Sequence, residues 1–387
     1  MGRGVLQRLD QIVPPSHDAV ARHDDGADRH LLSFQRLSCL VYCHAHEFFI
    51  ALLLCCALVL PLSACGEAKS TTQQIFAMDT VMDLTAYGKK ADDGINAAIS
   101  IINSMDTLLD PENERSKTYE INHAMGSPVV VNEQIAKMLR TALTVYERTN
   151  GAFDLTTYPL SKLWGFIDQN YRVPSDAEIE RLLPCVDMRK VQLAATDDSA
   201  NSLVTMPADM ALSFGAVAKG CASDYAIQAM RAAGVTSGVV SLGGNVQTLG
   251  KKPDGSDWNI AIQDPNDTGS YLGYLTVGET AVITSGSYQR YFTEGGQKYH
   301  HILSPTTGRP VNNGLLAVTI VCEDGTLADC LSTAMFVLGP QAALNYWRTY
   351  GGFEMLLVKT DGHVVLTNGL YGQFTPNGNS YVVDYAS

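Results

Sequence analysis

Between residues 92 and 109 the apolar side chains of Ile95, Ala98, Ile99, Ile102 and Met105 recur three and four apart, which predicts an amphipathic helix. The same period returns over residues 132–148. There Ile135, Met138, Leu139, Ala142, Val145 and Tyr146 share a face, and Gly151 supplies a stop. Ser175 and Glu178 have the spacing of a capping box and open a third helix through Leu183. Further helices are expected over residues 217–233, closed by Gly234, over 327–338, and after Pro340. Elsewhere the chain reads as strand: residues 75–87, with alternation at Met78, Thr80, Met82 and Leu84, then 191–194, 203–206 and 211–214. More strands are expected near Val239, Ile260, Leu275, Val282, His301, Val318, Leu357 and Val365. Strands cluster rather than alternating regularly with helices, which predicts an α+β chain with a largely antiparallel sheet. Residues 75–387 carry no low-complexity linker and no short repeat, so they are expected to form the functional domain.

The N-terminal pattern is different. Residues 48–62 are apolar but too short for a spanning helix. They match the core of a secretory signal over residues 48–64, closing on Leu62-Ser63-Ala64-Cys65 before a polar stretch through Gln74. Small residues before a cysteine fit the narrow cleft of a lipoprotein signal peptidase, and the thiol accepts the diacylglycerol. This resembles the bacterial lipobox. Cys65 is therefore expected to be the lipidated first residue of the mature chain, with residues 65–74 as a tether. The domain is then expected on the outer face of a bacterial cytoplasmic membrane, or the periplasmic side of a membrane. The alternative is a cytosolic chain with a greasy N-terminal helix. Residues 1–47 carry mixed charges such as Asp24, Asp25 and Asp28, unlike the short basic head of a signal. They read as a non-native leader, with initiation from a non-AUG codon near Val41. N-terminal sequencing of unprocessed precursor tests this, and recovery of residues 2–30 would refute it.

Composition narrows the function classes. The net charge of −13 leaves nothing to supply a basic face, so a nucleic-acid partner is not expected. Cys185, Cys221, Cys322 and Cys330 are scattered without a C-x-x-C pair, which gives no zinc pattern. Outside the cytoplasm they can pair as disulfides or remain buried thiols.

Four segments rich in glycine and polar residues are candidates for chemistry. In Thr149-Asn150-Gly151-Ala152-Phe153-Asp154-Leu155-Thr156 a helix ends and an aromatic and a carboxylate follow together. Read alone, this is either a ligand loop or a helix stop with Phe153 in the core and Asp154 capping the next turn. Ser213-Phe214-Gly215-Ala216-Val217-Ala218-Lys219-Gly220 reads as strand, turn and helix. A helix start favours anions such as phosphate, and Lys219 in the first turn opposes the helix dipole unless a ligand meets its charge. The alternative is a solvated lysine. Thr284-Ser285-Gly286 leads to Tyr299-His300-His301-Ile302-Leu303-Ser304-Pro305-Thr306-Thr307-Gly308. Adjacent histidines on a strand point to opposite faces, so one is expected in a cleft, able to act as a base, and the other in solvent. The alternative is two plain surface imidazoles. In Asp329-Cys330-Leu331-Ser332-Thr333, the carboxylate and the hydroxyl four residues on share a helix face. Such oxygens suit Mg2+, although an acidic first helical turn explains Asp329 equally.

Taken in order, these segments resemble the ApbE family of flavin transferases. The matching residues are Met78-Asp79-Thr80, the block from Gly151 to Asp154 with Pro159-Leu160 and Trp164-Gly165, and the block from Gly215 to Gly220. They continue with Leu242-Gly243-Gly244-Asn245, Thr284-Ser285-Gly286, His301-Ile302 with Pro305 and Thr307-Gly308, and Asp329 with Thr333. The resemblance spans the chain from about Ile75. It implies a T-fold-related architecture and transfer of FMN from FAD to a threonine of an acceptor protein, with release of AMP and a need for Mg2+. It also implies that Asp329, Thr333 and the Ala216 carbonyl hold Mg2+, with Ser332 as a further oxygen. Met78, Ala152, Phe153, Asp154, Ser213, Lys219, His301 and Ile302 would line the FAD site. His301, or His301 together with Asp329, would take the threonine proton. The implied acceptors are flavin-carrying subunits of membrane redox complexes, such as sodium-pumping quinone reductases or Rnf-type complexes, or extracellular reductases. Two related activities remain open on the same site: FAD hydrolysis to FMN and AMP, and flavin binding without catalysis. The chain departs from the family by carrying Ser213 and Ser304 where aspartates are common, and no aromatic in Asp110-Pro111-Glu112-Asn113.

Overall fold

The computed structural model describes residues 69–378 and 381–386. The leader, the signal segment and Cys65 lie outside the described residues. Two strands open the described chain, β1 (Ser70–Ala77) and β2 (Thr80–Tyr87), followed by helices α1 (Ala91–Leu109) and α2 (Lys117–Asn122). Then come β3 (Val129–Asn132), α3 (Glu133–Arg148), α4 (Tyr158–Leu163), α5 (Asp176–Leu182), β4 (Gln192–Ala195), β5 (Asn201–Thr205) and α6 (Ala218–Ala232). The run β6 (Gly238–Leu242), β7 (Asn245–Leu249), β8 (Trp258–Gln263), β9 (Tyr271–Val277), β10 (Ala281–Gly286), β11 (Tyr291–Glu294), β12 (Gln297–His300) and β13 (Leu315–Cys322) follows. The chain closes with α7 (Gly325–Leu338), α8 (Pro340–Tyr350), β14 (Glu354–Lys359), β15 (His363–Thr367), β16 (Phe374–Pro376) and β17 (Val382–Ala386).

A nine-stranded sheet of order β1-β2-β6-β7-β10-β13-β14-β15-β17 organises the molecule. Every neighbouring pair is antiparallel except β15 with β17. The expected α+β architecture with a largely antiparallel sheet is therefore what the chain adopts. Strand alternation builds two cores. Met355 and Leu357 of β14 pack with residues of α1, α3, α6 and α7 on one face. Leu356 and Val358 point the other way, onto Trp258, Ile260, Leu275 and Val277 of the small sheet β16-β9-β8. Leu160, Trp164, Phe166, Ile179 and Leu303 form a third, satellite cluster.

Helices follow the apolar periodicity closely. Asn132 caps α3 by accepting from the Ile135 N–H at 3.1 Å, and the chain reverses at Asn150 and Gly151, both left-handed. Ser175 and Glu178 make the reciprocal capping box of α5. Strands depart in three places. Residues 75–87 are a hairpin rather than one strand: β1 already starts at Ser70, and Met78 and Asp79 form a tight turn at φ 48° and 58°. Residues 211–214 join no sheet. The Asn122 side chain clamps Leu212, accepting from its N–H at 2.8 Å and donating to its carbonyl at 2.9 Å, as a neighbouring strand would. Near His301, β12 ends one residue early. The four cysteines Cys185, Cys221, Cys322 and Cys330 are free thiols, so no disulfide forms among them.

Candidate functional site

The sheet brings its candidate loops to one end. The β1–β2 turn lies beside the β6–β7 turn, because Met82 pairs with Leu242. β10 runs antiparallel to β7, with Val282 opposite Val246, and so leads on toward the same end. At this end Gly243 and Gly244 adopt φ 60° and 92°. A Cβ on Gly243 would meet the Thr80 side chain at 2.5 Å, so only glycine lets the two turns touch. Met78 takes a similar left-handed backbone without being glycine, and its N–H donates to Asp106 Oδ1 at 2.8 Å.

Asp329, on α7, is 4% exposed. Its Oδ2 accepts from the Gly220 N–H at 2.8 Å, and its Oδ1 from Asn245 Nδ2 at 2.9 Å. A carboxylate offers about four acceptor positions, so one remains on each oxygen. Gly220 achieves this contact by having no side chain: a Cβ would lie 2.1 Å from the Gly325 carbonyl and 2.6 Å from Asp329 Cβ. Because Gly220 N–H turns to Asp329, it does not close a helical bond to Ala216. The Ala216 carbonyl accepts no backbone N–H among the described residues. Hydroxyls complete the cluster. Ser285 Oγ lies 2.8 Å from Ser332 Oγ and 3.2 Å from Thr333 Oγ1, and Ser332 donates to the Asp329 carbonyl at 2.9 Å. No group of three His, Cys, Asp or Glu residues among the described residues can hold a metal. The donors that can hold a cation here are hard oxygens: one carboxylate, a free backbone carbonyl and a half-buried hydroxyl on Thr333.

Beside this cluster, α6 starts without a side-chain cap. Lys219 sits in its first turn, half-buried, with no hydrogen bond or ion pair among the described residues. Ser213 Oγ accepts from the Gly215 N–H at 3.2 Å, and the Ser213 N–H donates to the Leu155 carbonyl at 3.1 Å. This bond ties the approach to α6 to the 152–156 loop. Within that loop Phe153 is buried in the main core. Asp154 is 8% exposed and accepts from the Thr156 N–H at 2.7 Å, the Thr156 hydroxyl at 2.5 Å and the Met188 N–H at 3.0 Å. Burial outweighs these bonds and holds the Asp154 carboxyl above its ordinary value. Ala152 remains half-buried at the loop surface.

The two histidines do point apart, but neither faces open solvent. His300 is buried, edge-on to Phe336, with Nε2 2.8 Å from the Val311 carbonyl. His301 is half-buried, and its Nδ1 lies 3.1 Å from the Arg290 carbonyl. A carbonyl only accepts, so Nδ1 carries the proton and Nε2 is the free base. Burial, then the nearby charges of Arg290, His300 and Lys219, push the His301 imidazole down to about 3. Lys219 and His301 therefore share one electrostatic neighbourhood. Ile302, the next residue, is buried in the main core. Trp164, of another matched block, ties down the chain beyond this segment, its Nε1 donating to the Gly308 carbonyl at 2.8 Å.

The fold thus gathers Ser213, Ala216, Lys219, Asp329 and Thr333 through direct contacts or adjacency, with Met78 at the same end of the sheet. Sequence reasoning gave no role to Asn245, Ser285 or the Gly220 N–H. The signal for Asn245 was present, since Asn245 and Gln247 put two polar side chains on the inward face of a strand.

An uncapped helix start, a lysine with no hydrogen bond or ion pair among the described residues and a cluster of hard oxygens make an arrangement chemically suited to a phosphorylated ligand. The profile of the ApbE family matches residues 78–357. The chain is 29% identical over 326 residues to the FAD:protein FMN transferase of Treponema pallidum, covering 79% of this chain and 90% of that protein. To the enzyme of the same name from Klebsiella pneumoniae it is 31% identical over 285 residues, covering 73% and 87%. The solved ApbE protein of Thermotoga maritima superposes with a TM-score of 0.73 at 30% identity, covering 79% of this chain and all of that one. The apo flavinyl transferase ApbE of Pseudomonas stutzeri superposes with a TM-score of 0.69 at 27% identity, covering 81% and 99%. This chain belongs to the ApbE family.

Proposed function

We propose that the protein transfers FMN from FAD to a threonine hydroxyl of an acceptor flavoprotein and releases AMP. The observation that carries this reading is Lys219, an amine without a hydrogen bond or ion pair among the described residues at the uncapped start of α6, one residue from the Gly220 N–H that holds Asp329. An anion and a cation can meet there. Its relatives bear the name FAD:protein FMN transferase, and the chain is an enzyme of that class.

In this reading the FAD diphosphate lies between Lys219 and the start of α6, where the amine and the helix dipole face its charge. Met78, Ala152, Ser213 and Ile302 flank the flavin, while Phe153 and Asp154 shape the loop beneath it. Asp329, Thr333 and the Ala216 carbonyl would hold Mg2+, with Ser332 and Ser285 orienting the Thr333 hydroxyl. When bound, the ion neutralises phosphate charge as the bond to AMP breaks. The acceptor threonine oxygen attacks the FMN-side phosphorus, a new phosphoester forms, and AMP leaves with the electrons of the broken P–O bond. His301 Nε2 is the proposed acceptor of the threonine proton, and Asp329 can share that work. A neutral imidazole is free to accept, and the negative charge of a bound diphosphate would raise it from its low resting value.

The proposal extends to location. Cys65 as a lipid anchor would hold the domain outside the cytoplasmic membrane, beside acceptor subunits of membrane redox complexes or extracellular reductases, and tethering raises their effective concentration. The pattern ending at Cys65 supports this reading, and mass spectrometry of the membrane-extracted N-terminus tests it.

Incubating the protein with FAD, Mg2+ and a candidate acceptor tests the reaction. Flavin fluorescence that stays on the acceptor band after denaturation, with equimolar AMP, is expected. AMP and free FMN without labelled acceptor would make the protein a pyrophosphatase, and intact bound FAD would make it a flavin carrier.

A further inference from the structure

Asp224 stands on α6 one turn beyond Gly220 and is 5% exposed. Five donors converge on it. Its Oδ1 accepts from the Gly325 N–H at 2.8 Å and from Gln247 Nε2 at 3.1 Å. Its Oδ2 accepts from the Thr326 N–H at 3.0 Å, the Thr326 hydroxyl at 2.6 Å and the Lys137 ammonium at 2.8 Å. Burial works against this carboxylate, but Lys137 and the hydroxyl and amide donors win and hold it below its ordinary value. The pair therefore stays ionised at neutral pH.

The arrangement repeats what surrounds Asp329. Gly220 and Asp224 are four apart on α6, Gly325 and Asp329 are four apart on α7, and Asn245 and Gln247 are two apart on β7. One rung is Asp329 with the Gly220 N–H and Asn245. The next is Asp224 with Gln247 and the first residues of α7. The two carboxylates come from opposite helices and lock them in one register. The bare Gly220 brings the helices too close to slide. A slip of one residue would move Asp329 by about 1.5 Å along the axis and turn it by about 100°.

We infer that Asp224 is a positioning residue for the reaction: by fixing the start of α7 it sets where Asp329 and Thr333 present their oxygens to the divalent cation. The inference rests on the cation role proposed for those two residues. A mere helix cap would contribute stability and nothing more, and the two roles separate experimentally.

The test uses the full chain carrying Asp224→Asn, with two measurements. One is calorimetric titration with Mg2+ in the presence of FAD and without acceptor; the other is the Mg2+ dependence of AMP release. The Mg2+ midpoint should rise about ten- to a hundredfold, the range for groups that orient metal ligands. Turnover at saturating Mg2+ should recover to within a few-fold. A lowered melting temperature with an unchanged Mg2+ midpoint would overturn the inference. Should Asp224→Asn not fold, Thr326→Val removes a single donor and should shift the midpoint in the same direction by less. An unchanged midpoint there overturns the inference equally. If the unmodified protein shows no Mg2+ response, the cation reading itself falls, and the inference with it. A response identical in protein and variant removes only Asp224.

Discussion

Asp329 and Asp154 are both buried carboxylates at the same site, yet they are held in different ways. Asp154 takes three donors, all from Thr156 and Met188, and they close its own loop onto the chain that follows. Asp329 takes one donor per oxygen, from two other elements, and keeps unused acceptor positions beside the Ser285–Ser332–Thr333 hydroxyls. A carboxylate whose partners are all local shapes the backbone. One suspended between distant elements with capacity to spare is arranged for something else. Burial alone does not separate the two.

The comparison can be broken most directly by removing each group. Asp329→Ala should lower turnover on the order of 10^3-fold, measured as AMP release, while the protein stays folded. Asp154→Ala leaves three donors unpaired and should cost about 3 kcal/mol of stability in a urea melt. Per folded molecule it should cost less than tenfold in turnover. If the two variants exchange these effects, Asp154 rather than Asp329 serves the reaction. Gly243→Ala probes the Asp329 side more gently. A methyl there meets Thr80 in a left-handed turn, so stability should fall by about 2 kcal/mol, with a higher KM for FAD because the turn leads straight into Asn245.

A fourth test concerns pH. His301 is held down to about 3 in the folded chain against an ordinary 6.5. Between these values the unfolded chain binds a proton that the folded chain refuses. Its contribution to stability is thus complete above 6.5 and is lost progressively as pH falls toward 3. In His301→Gln the melting temperature should fall less steeply over that window. A pH profile identical to that of the unmodified protein would show that His301 is not the titrating group.

Much of this was legible in the sequence, for identifiable reasons. Helices α1, α3, α5 and α6 carry one-sided apolar periodicity and recognisable stops, so their extents were readable within a residue or two. The β1–β2 hairpin was not, because Met78 and Asp79 occupy a turn that usually calls for glycine or asparagine. Residues 211–214 have the composition of a strand, but their partner is the side chain of Asn122, about 90 residues away, and no local pattern announces it. Lys219, Asp329 and Thr333 drew attention through the resemblance of their segments to the family, since the local pattern alone left a solvated lysine and an acidic helical turn open. Asp224 did not stand out at all, and Asn245 showed only as a polar residue on an inward strand face, since their work depends on which helix a strand lies beneath, a tertiary fact.

Gly220 offers a marker for surveys of related chains. Where that position carries any side chain, α6 and α7 cannot meet as they do here, and an aspartate matching Asp329 would sit in a different place. A relative that retains the aspartate but not the glycine is then a candidate for a protein that has kept the family's shape and left its chemistry. A single aligned column can sort such chains before any is expressed.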